Sequence, residues 1–155
     1  MQRIAIFPGS FDPITKGHES VVKRALPLFD KIIIAIGVNA EKRDYLFSPE
    51  KRITWIKQTF KNEPKIEVME FTGLTVDFCE KMNAGFILRG LRTSADFEFE
   101  RAIAQTNRFL AQNIATVFLL TTPEHTSITS TIVREVFKNG GDANLFVPDS
   151  INLKK

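Results

Sequence analysis

Five short apolar stretches rich in β-branched residues, at 3–7, 31–38, 66–71, 86–89 and 116–120, punctuate the chain, and longer segments of mixed polarity separate them. Apolar runs of this length predict buried strands. The intervening segments predict helices over about 17–29, 49–60, 76–82, 96–112 and 131–139. Ser48 before Pro49 marks one helix start, a hydroxyl cap followed by proline at the first helical position. Asn139-Gly140-Gly141 marks a stop, where glycine takes the left-handed conformation that ends a helix. No repeat, low-complexity tract or linker interrupts the pattern.

Strands that alternate with helices need right-handed crossovers, which give a parallel sheet covered on both faces. The expected fold is therefore α/β: a single-domain, Rossmann-like, doubly wound five-stranded parallel sheet with helices on both faces, spanning residues 1–155. Ligands of such sheets sit beyond the carboxyl ends of the strands, where strand order reverses. That singles out the loops at 8–17, 39–48, 71–75, 89–96 and 121–130.

Composition narrows the function classes. With 43% hydrophobic and 25% charged residues, the chain is that of a globular protein with one core. One cysteine, Cys79, rules out an internal disulfide framework and a thiolate metal cluster. The longest apolar run, 32–38, is too short to cross a bilayer, and "MQRIAIF" lacks the apolar core of a signal peptide. A cytoplasmic protein with no membrane partner is expected. The 21 Lys and Arg against 18 Asp and Glu leave +3, spread along the chain rather than in a stripe. That argues against a nucleic-acid partner, while a few cations suffice for a small anionic ligand.

The loops carry candidate chemistry. The first, "PGSFDPITKGH", has glycines for close backbone approach and ends at a helix start, where exposed N–H groups attract anions. It matches neither a P-loop nor a dinucleotide fingerprint. His18 lies at that helix start; a capping or partly buried histidine is the ordinary reading, and donation to a phosphoryl oxygen is the functional one. Lys42 and Arg43, in "NAEKRDYLF", make a solvated turn in the ordinary reading, and Lys42 a phosphate contact in the functional one. In "RGLRTSADFEFE", Arg89 and Arg92 flank Gly90 at a strand end, with Glu98 and Glu100 in the next helix. Arginine forks suit phosphate, and Glu100 suits a ribose hydroxyl; the alternative is that the arginines pair with acids of that helix. In "TTPEHTSITSTIVREV", Thr126, Ser127, Thr129, Ser130 and Thr131 exceed what one helix cap requires and so offer contacts to a polyphosphate, whereas His125 reads as surface. Cys79 falls on an apolar helix face, and no metal-spaced carboxylate cluster or nucleophile elbow is present.

These motifs resemble the bacterial phosphopantetheine adenylyltransferases of the nucleotidyltransferase superfamily, nearly end to end. "PGSFDPITKGH" resembles their T/H-x-G-H loop, "RGLRTSADFEFE" their arginine loop and "SITSTIVREV" their I-S-S-S signature. The resemblance implies transfer of AMP from Mg-ATP to 4′-phosphopantetheine, giving dephospho-coenzyme A and pyrophosphate by direct in-line attack. It implies His18, Lys42, Arg92 and Ser130 as catalytic. ATP would be bound by Ser10, Phe11, His18, Gly90, Leu91, Arg92 and Glu100, with the loop of His125, Thr126, Ser127, Ile128, Thr129, Ser130 and Thr131. Ser10, Lys42, Thr75 and Arg89 would bind the acceptor. Mg2+ would be held through substrate phosphates rather than by protein ligands, and a homohexamer and feedback by coenzyme A are implied as well. Four positions depart from the family: Ser10 for the commoner Thr, Thr129 and Thr131 within I-S-S-S, and His125 where Trp is frequent. The rival readings are a related cytidylyltransferase or nicotinamide-mononucleotide adenylyltransferase, and a nucleotide sensor without turnover.

Overall fold

A computed structural model describes residues 1–38 and 44–154. Five parallel strands form one sheet: β1 (Ile4–Gly9), β2 (Lys31–Gly37), β3 (Ile66–Phe71), β4 (Phe86–Leu91) and β5 (Ala115–Leu120), in the spatial order β3-β2-β1-β4-β5. Alternate residues face opposite ways along a strand, and two cores follow from this. Ala5, Phe7, Ile32, Ile34 and Ile36 meet helices α1 (Lys16–Ala25), α2 (Pro49–Thr59) and α5 (Ser130–Lys138) on one face. Ile4, Ile6, Ile33 and Ala35 meet α3 (Thr75–Lys81) and the residues after α4 (Ser94–Leu110) on the other.

The caps read from sequence are in place. Ser48 Oγ accepts the Lys51 N–H at 3.3 Å with Pro49 opening α2, and Gly140 after α5 has φ 82°. The helix expected over 17–29 ends at Ala25 and finishes as a 3-10 turn over Leu26–Leu28, because Pro27 cannot supply the next helical N–H. Two strands run further than expected, β1 through Pro8-Gly9 and β4 through Gly90-Leu91. The outer strands β3 and β5 are only half-buried, as edges of the sheet, whereas the expectation was buried strands throughout.

Strand order reverses between β1 and β4. Their register is recorded at only two pairs, Ala5 with Phe86 and Ile6 with Ile87, whereas β1 and β2 pair over all six residues of β1. The sheet thus opens past Ile6, and the widening gap is the topological switch point at which ligands of this fold bind.

Candidate active site

A cleft of about 380 Å³ occupies that gap. Its floor is the end of β1 and the loop to α1, with Gly9, Ser10, Phe11 and His18. One wall is Arg89, Gly90, Arg92, Asp96 and Glu100, and the other is Ile128, Thr129 and Ser130 at the start of α5. A second cleft of about 270 Å³ adjoins it, sharing Pro8, Gly9, Arg89 and Glu100, and is lined largely by apolar side chains, with Thr75 at its edge.

His18 is the third residue of α1 and completes its cap. Thr15 Oγ1 accepts the His18 N–H at 3.3 Å, and His18 Nδ1 accepts the Thr15 N–H at 3.0 Å. This is a capping box with imidazole in place of the usual carboxylate. A backbone N–H can only donate, so Nδ1 is the bare nitrogen and the proton of the neutral ring sits on Nε2. Burial, and then the charges of Arg89 and Arg92, push its pKa from 6.5 down to about 4. The ring packs edge-on against Phe11 and Phe7, with centroids 5.0 and 6.1 Å away. Phe11 itself has φ 48°, a left-handed backbone that a non-glycine residue seldom adopts.

Four carbonyl groups at the end of β1 and in the first loop are tied down by side chains from three other elements. Arg89 Nη1 donates to Pro8 O at 2.7 Å, Arg52 Nη1 to Ser10 O at 2.7 Å, Arg134 Nη1 to Asp12 O at 2.9 Å and Ser130 Oγ to Pro13 O at 2.9 Å. The buried Asp12 carboxylate accepts the N–H groups of Leu46 and Phe47 at 2.8 and 2.9 Å, joining this loop to the one before α2. Arg52 is fully buried, stacks on Tyr45 with its guanidinium carbon 4.2 Å from the ring centroid, and leaves Nη2 without a partner among the described residues. Sequence reading missed Asp12, Arg52 and Arg134, because such residues in a loop or on an early helical turn look solvated.

Both arginines of the fourth loop are paired with acids of α4, the alternative weighed above. Glu100, only 8% exposed, takes Arg89 through Nε at 3.0 Å and Nη2 at 2.5 Å. Asp96 takes Arg92 through Nε at 3.0 Å and Nη2 at 3.1 Å. The carboxylate of Glu100, expected to receive a ribose hydroxyl, is thus engaged by Arg89 in the free protein. Glu98 pairs on the surface with Arg101.

The hydroxyl-rich segment is also busier than expected. Thr129 caps α5 through the Ile132 N–H, Ser130 holds Pro13, Thr131 accepts from Arg134 and Thr126 donates to the Thr122 carbonyl. What this segment turns to the cleft is Ile128, Thr129 and Ser130 at a helix N-terminus, an anion-attracting position. His125, expected at the surface, is half-buried, with Nδ1 3.1 Å from Thr122 Oγ1 and its Cβ packed over Gly17.

Of the site residues expected from sequence, Ser10, Phe11, His18, Arg89, Gly90, Arg92, Glu100, Ile128, Thr129 and Ser130 line the main cleft. Thr75 lines the adjoining one. Leu91, His125, Thr126, Ser127 and Thr131 line neither. Lys42, with Arg43, lies outside the described residues. Cys79 is buried, with its thiol pushed up to about 12 by desolvation, which leaves it no role as a nucleophile.

Comparison with known proteins places this geometry. The cytidylyltransferase-like family model matches residues 6–136. A phosphopantetheine adenylyltransferase of Flavobacterium psychrophilum is 59% identical, over 98% of this chain and 99% of its own. That of Cytophaga hutchinsonii is 48% identical, over 97% of this chain and 100% of its own. Two solved structures share the fold at low identity. A putative nicotinate-nucleotide adenylyltransferase from Vibrio parahaemolyticus superposes with TM-score 0.71 at 20% identity, over 97% of this chain and 96% of that one. A bifunctional NMN adenylyltransferase/ADP ribose pyrophosphatase from Francisella tularensis gives 0.74 at 18%, over 97% of this chain and 46% of that one. The chain belongs to the cytidylyltransferase-like family and, within it, to the phosphopantetheine adenylyltransferases.

Proposed function

We propose that this protein, as one cytoplasmic nucleotidyltransferase domain over residues 1–155, transfers the adenylyl group of Mg-ATP to 4′-phosphopantetheine, releasing dephospho-coenzyme A and pyrophosphate in coenzyme A synthesis. The polar cleft between β1, β4 and α5 suits the nucleotide, and the apolar cleft beside it suits the pantetheine arm. Arg89, on their shared wall, stands where the acceptor phosphate would meet the α-phosphate. Coenzyme A carries the same arm and a nucleotide, so the feedback implied by the family would occupy the same two clefts.

The acceptor phosphate is already ionised near neutral pH, so an oxygen of it attacks the α-phosphorus in line and pyrophosphate leaves, with no base required. The observation that carries this reading is His18 as a neutral Nε2–H donor on the cleft floor. Charge that builds on the α-phosphoryl oxygens in the transition state receives a hydrogen bond from it, while Arg92, Ser130 and Lys42 bind the phosphates. Mg2+ enters with the nucleotide. Among the described residues no group of three or more His, Cys, Asp and Glu is close enough to hold a metal, and the cleft carboxylates Asp96 and Glu100 are held by arginines.

The test is pyrophosphate release from Mg-ATP with 4′-phosphopantetheine, nicotinamide mononucleotide or glycerol phosphate as acceptor, with mass analysis of products, for wild type and His18→Ala. Turnover only with 4′-phosphopantetheine, and a kcat lowered on the order of 10²–10³ in His18→Ala with KM little changed, is the expected result. ATP binding without turnover on any acceptor supports the sensor reading instead, and unchanged turnover in His18→Ala removes its assigned role.

A further inference from the structure

The two arginines of the cleft are fastened by the same device. Glu100 takes the Nε and Nη2 edge of Arg89, and Asp96 takes the Nε and Nη2 edge of Arg92. Asp96 Oδ2 also accepts the backbone N–H of Arg92 at 3.0 Å, so one carboxylate fixes both the main chain and the side chain of that residue. Asp96 and Glu100 are four residues apart on α4 and therefore share one helix face, and both line the cleft. Arg89 has its remaining nitrogen on Pro8 O. Arg92 differs, since its Nη1 has no partner among the described residues and is the edge left for a ligand.

The charges matter as much as the geometry. The two arginines and two carboxylates of the cleft wall cancel, and His18 is neutral, so the described lining residues hold a polyanion by aimed donors rather than by net charge. Aim then decides affinity. An arginine that must be ordered on binding loses rotamer freedom at that moment, and one ordered beforehand does not.

We propose that Asp96 is a positioning residue for the nucleotide: it clamps one edge of Arg92 so that the Nη1 edge is presented to the polyphosphate. This rests on the assignment of the main cleft to ATP. The same carboxylate sits in the first turn of α4, where a negative charge also stabilises the helix, and the experiment must separate the two roles.

Calorimetry of Mg-ATP binding to wild type, Asp96→Ala, Arg92→Ala and the double variant, with KM values for both substrates, does so. Asp96→Ala is expected to weaken ATP binding on the order of tenfold, the scale of one ordered arginine side chain, and to leave KM for 4′-phosphopantetheine within about twofold. In the Arg92→Ala background the same change is expected to alter ATP binding by less than about twofold, because its partner is gone. Asp96→Asn, which keeps an acceptor oxygen, recovers part of the loss. The proposal is overturned if Asp96→Ala binds ATP as tightly as wild type or more tightly, or if the loss persists without Arg92. A lowered melting temperature with unchanged ATP affinity assigns Asp96 to helix stability alone and overturns it as well. Wild type that binds ATP without transferring AMP refutes the adenylyltransferase reading, yet the same four titrations still decide the Asp96–Arg92 coupling.

Discussion

The imidazole of His18 is neutral at pH 7 because it is buried beside two arginines, and its tautomer is set because Nδ1 faces a backbone N–H. Each fact limits what the residue does: it offers one hydrogen bond and no formal charge. The depressed pKa also ties stability to pH. An unfolded histidine titrates near 6.5 and the folded one near 4, so between those values the unfolded chain binds more protons. The contribution of His18 to stability is complete above pH 6.5 and is lost as the pH falls toward 4, by on the order of 3 kcal/mol. Urea unfolding of wild type and His18→Asn across that window checks this, since the variant lacks the titrating group; equal pH dependence in the two refutes it. The position of His18 at the helix start and its capping role were legible in the sequence, because Gly17-His18 closes a loop after a strand. Its protonation was not, since that depends on Thr15, Arg89 and Arg92 meeting around it. Arg52 was not legible for a related reason: an arginine on the first turns of a helix looks solvated until its fold closes over it.

At the scale of elements, the site depends on how closely α1 lies on β4. A Cβ added at Gly90 would stand 3.0 Å from Val21 Cγ2, and Val21 is buried and β-branched, so it has little freedom to yield. Gly90 thus keeps α1 close to β4, and it lines the cleft as well. Gly90→Ala is expected to cost about 1–3 kcal/mol, the range for overpacking a tight contact, and to lower activity by shifting α1 and with it His18. Denaturant midpoints and kcat for the variant measure both effects, and an unchanged midpoint excludes the contact as a constraint. The same elements explain where strand limits were misread. Pro8, Gly9 and Gly90 punctuate a sequence as turns do, yet the Pro8 carbonyl faces the β4 side, beyond the last recorded β1–β4 pair, where it meets Arg89. A missing N–H there removes no ladder bond, and β1 continues against β2 through Gly9. The alternation of strands and helices was legible throughout because it rests on the spacing of short apolar runs; the ends were not, because tertiary pairing sets them.

The whole molecule leaves one helix unfinished. In α4, seventeen residues long, the only buried residue is Glu100; of its exposed apolar residues, Phe99 and Ile103 line the two clefts, while Phe97, Leu110 and Phe109, the last by 88%, lie outside both. Beside α4, β5 ends the sheet with Leu120 69% exposed, and a trough of about 350 Å³ runs between helix and strand, lined by Phe97, Ala104, Ile114 and Phe118 with Arg101 and Arg108. An apolar face of that extent calls for a partner surface. The homohexamer implied by the family supplies one if α4 and β5 pack against further copies of the chain. The consequence reaches the chemistry, because the same helix carries Asp96 and Glu100, which hold Arg92 and Arg89. A helix secured from outside by neighbouring copies holds those arginines better than one left exposed. Phe109→Asp, at the far end of α4 from both carboxylates, is therefore expected to shift sedimentation toward the 17.6 kDa monomer, to keep the circular dichroism of the fold, and to weaken ATP binding several-fold. Wild type that sediments as a monomer refutes the assembly. A monomeric variant with undiminished ATP affinity refutes the link from assembly to site, and assigns the exposed face of α4 to association alone.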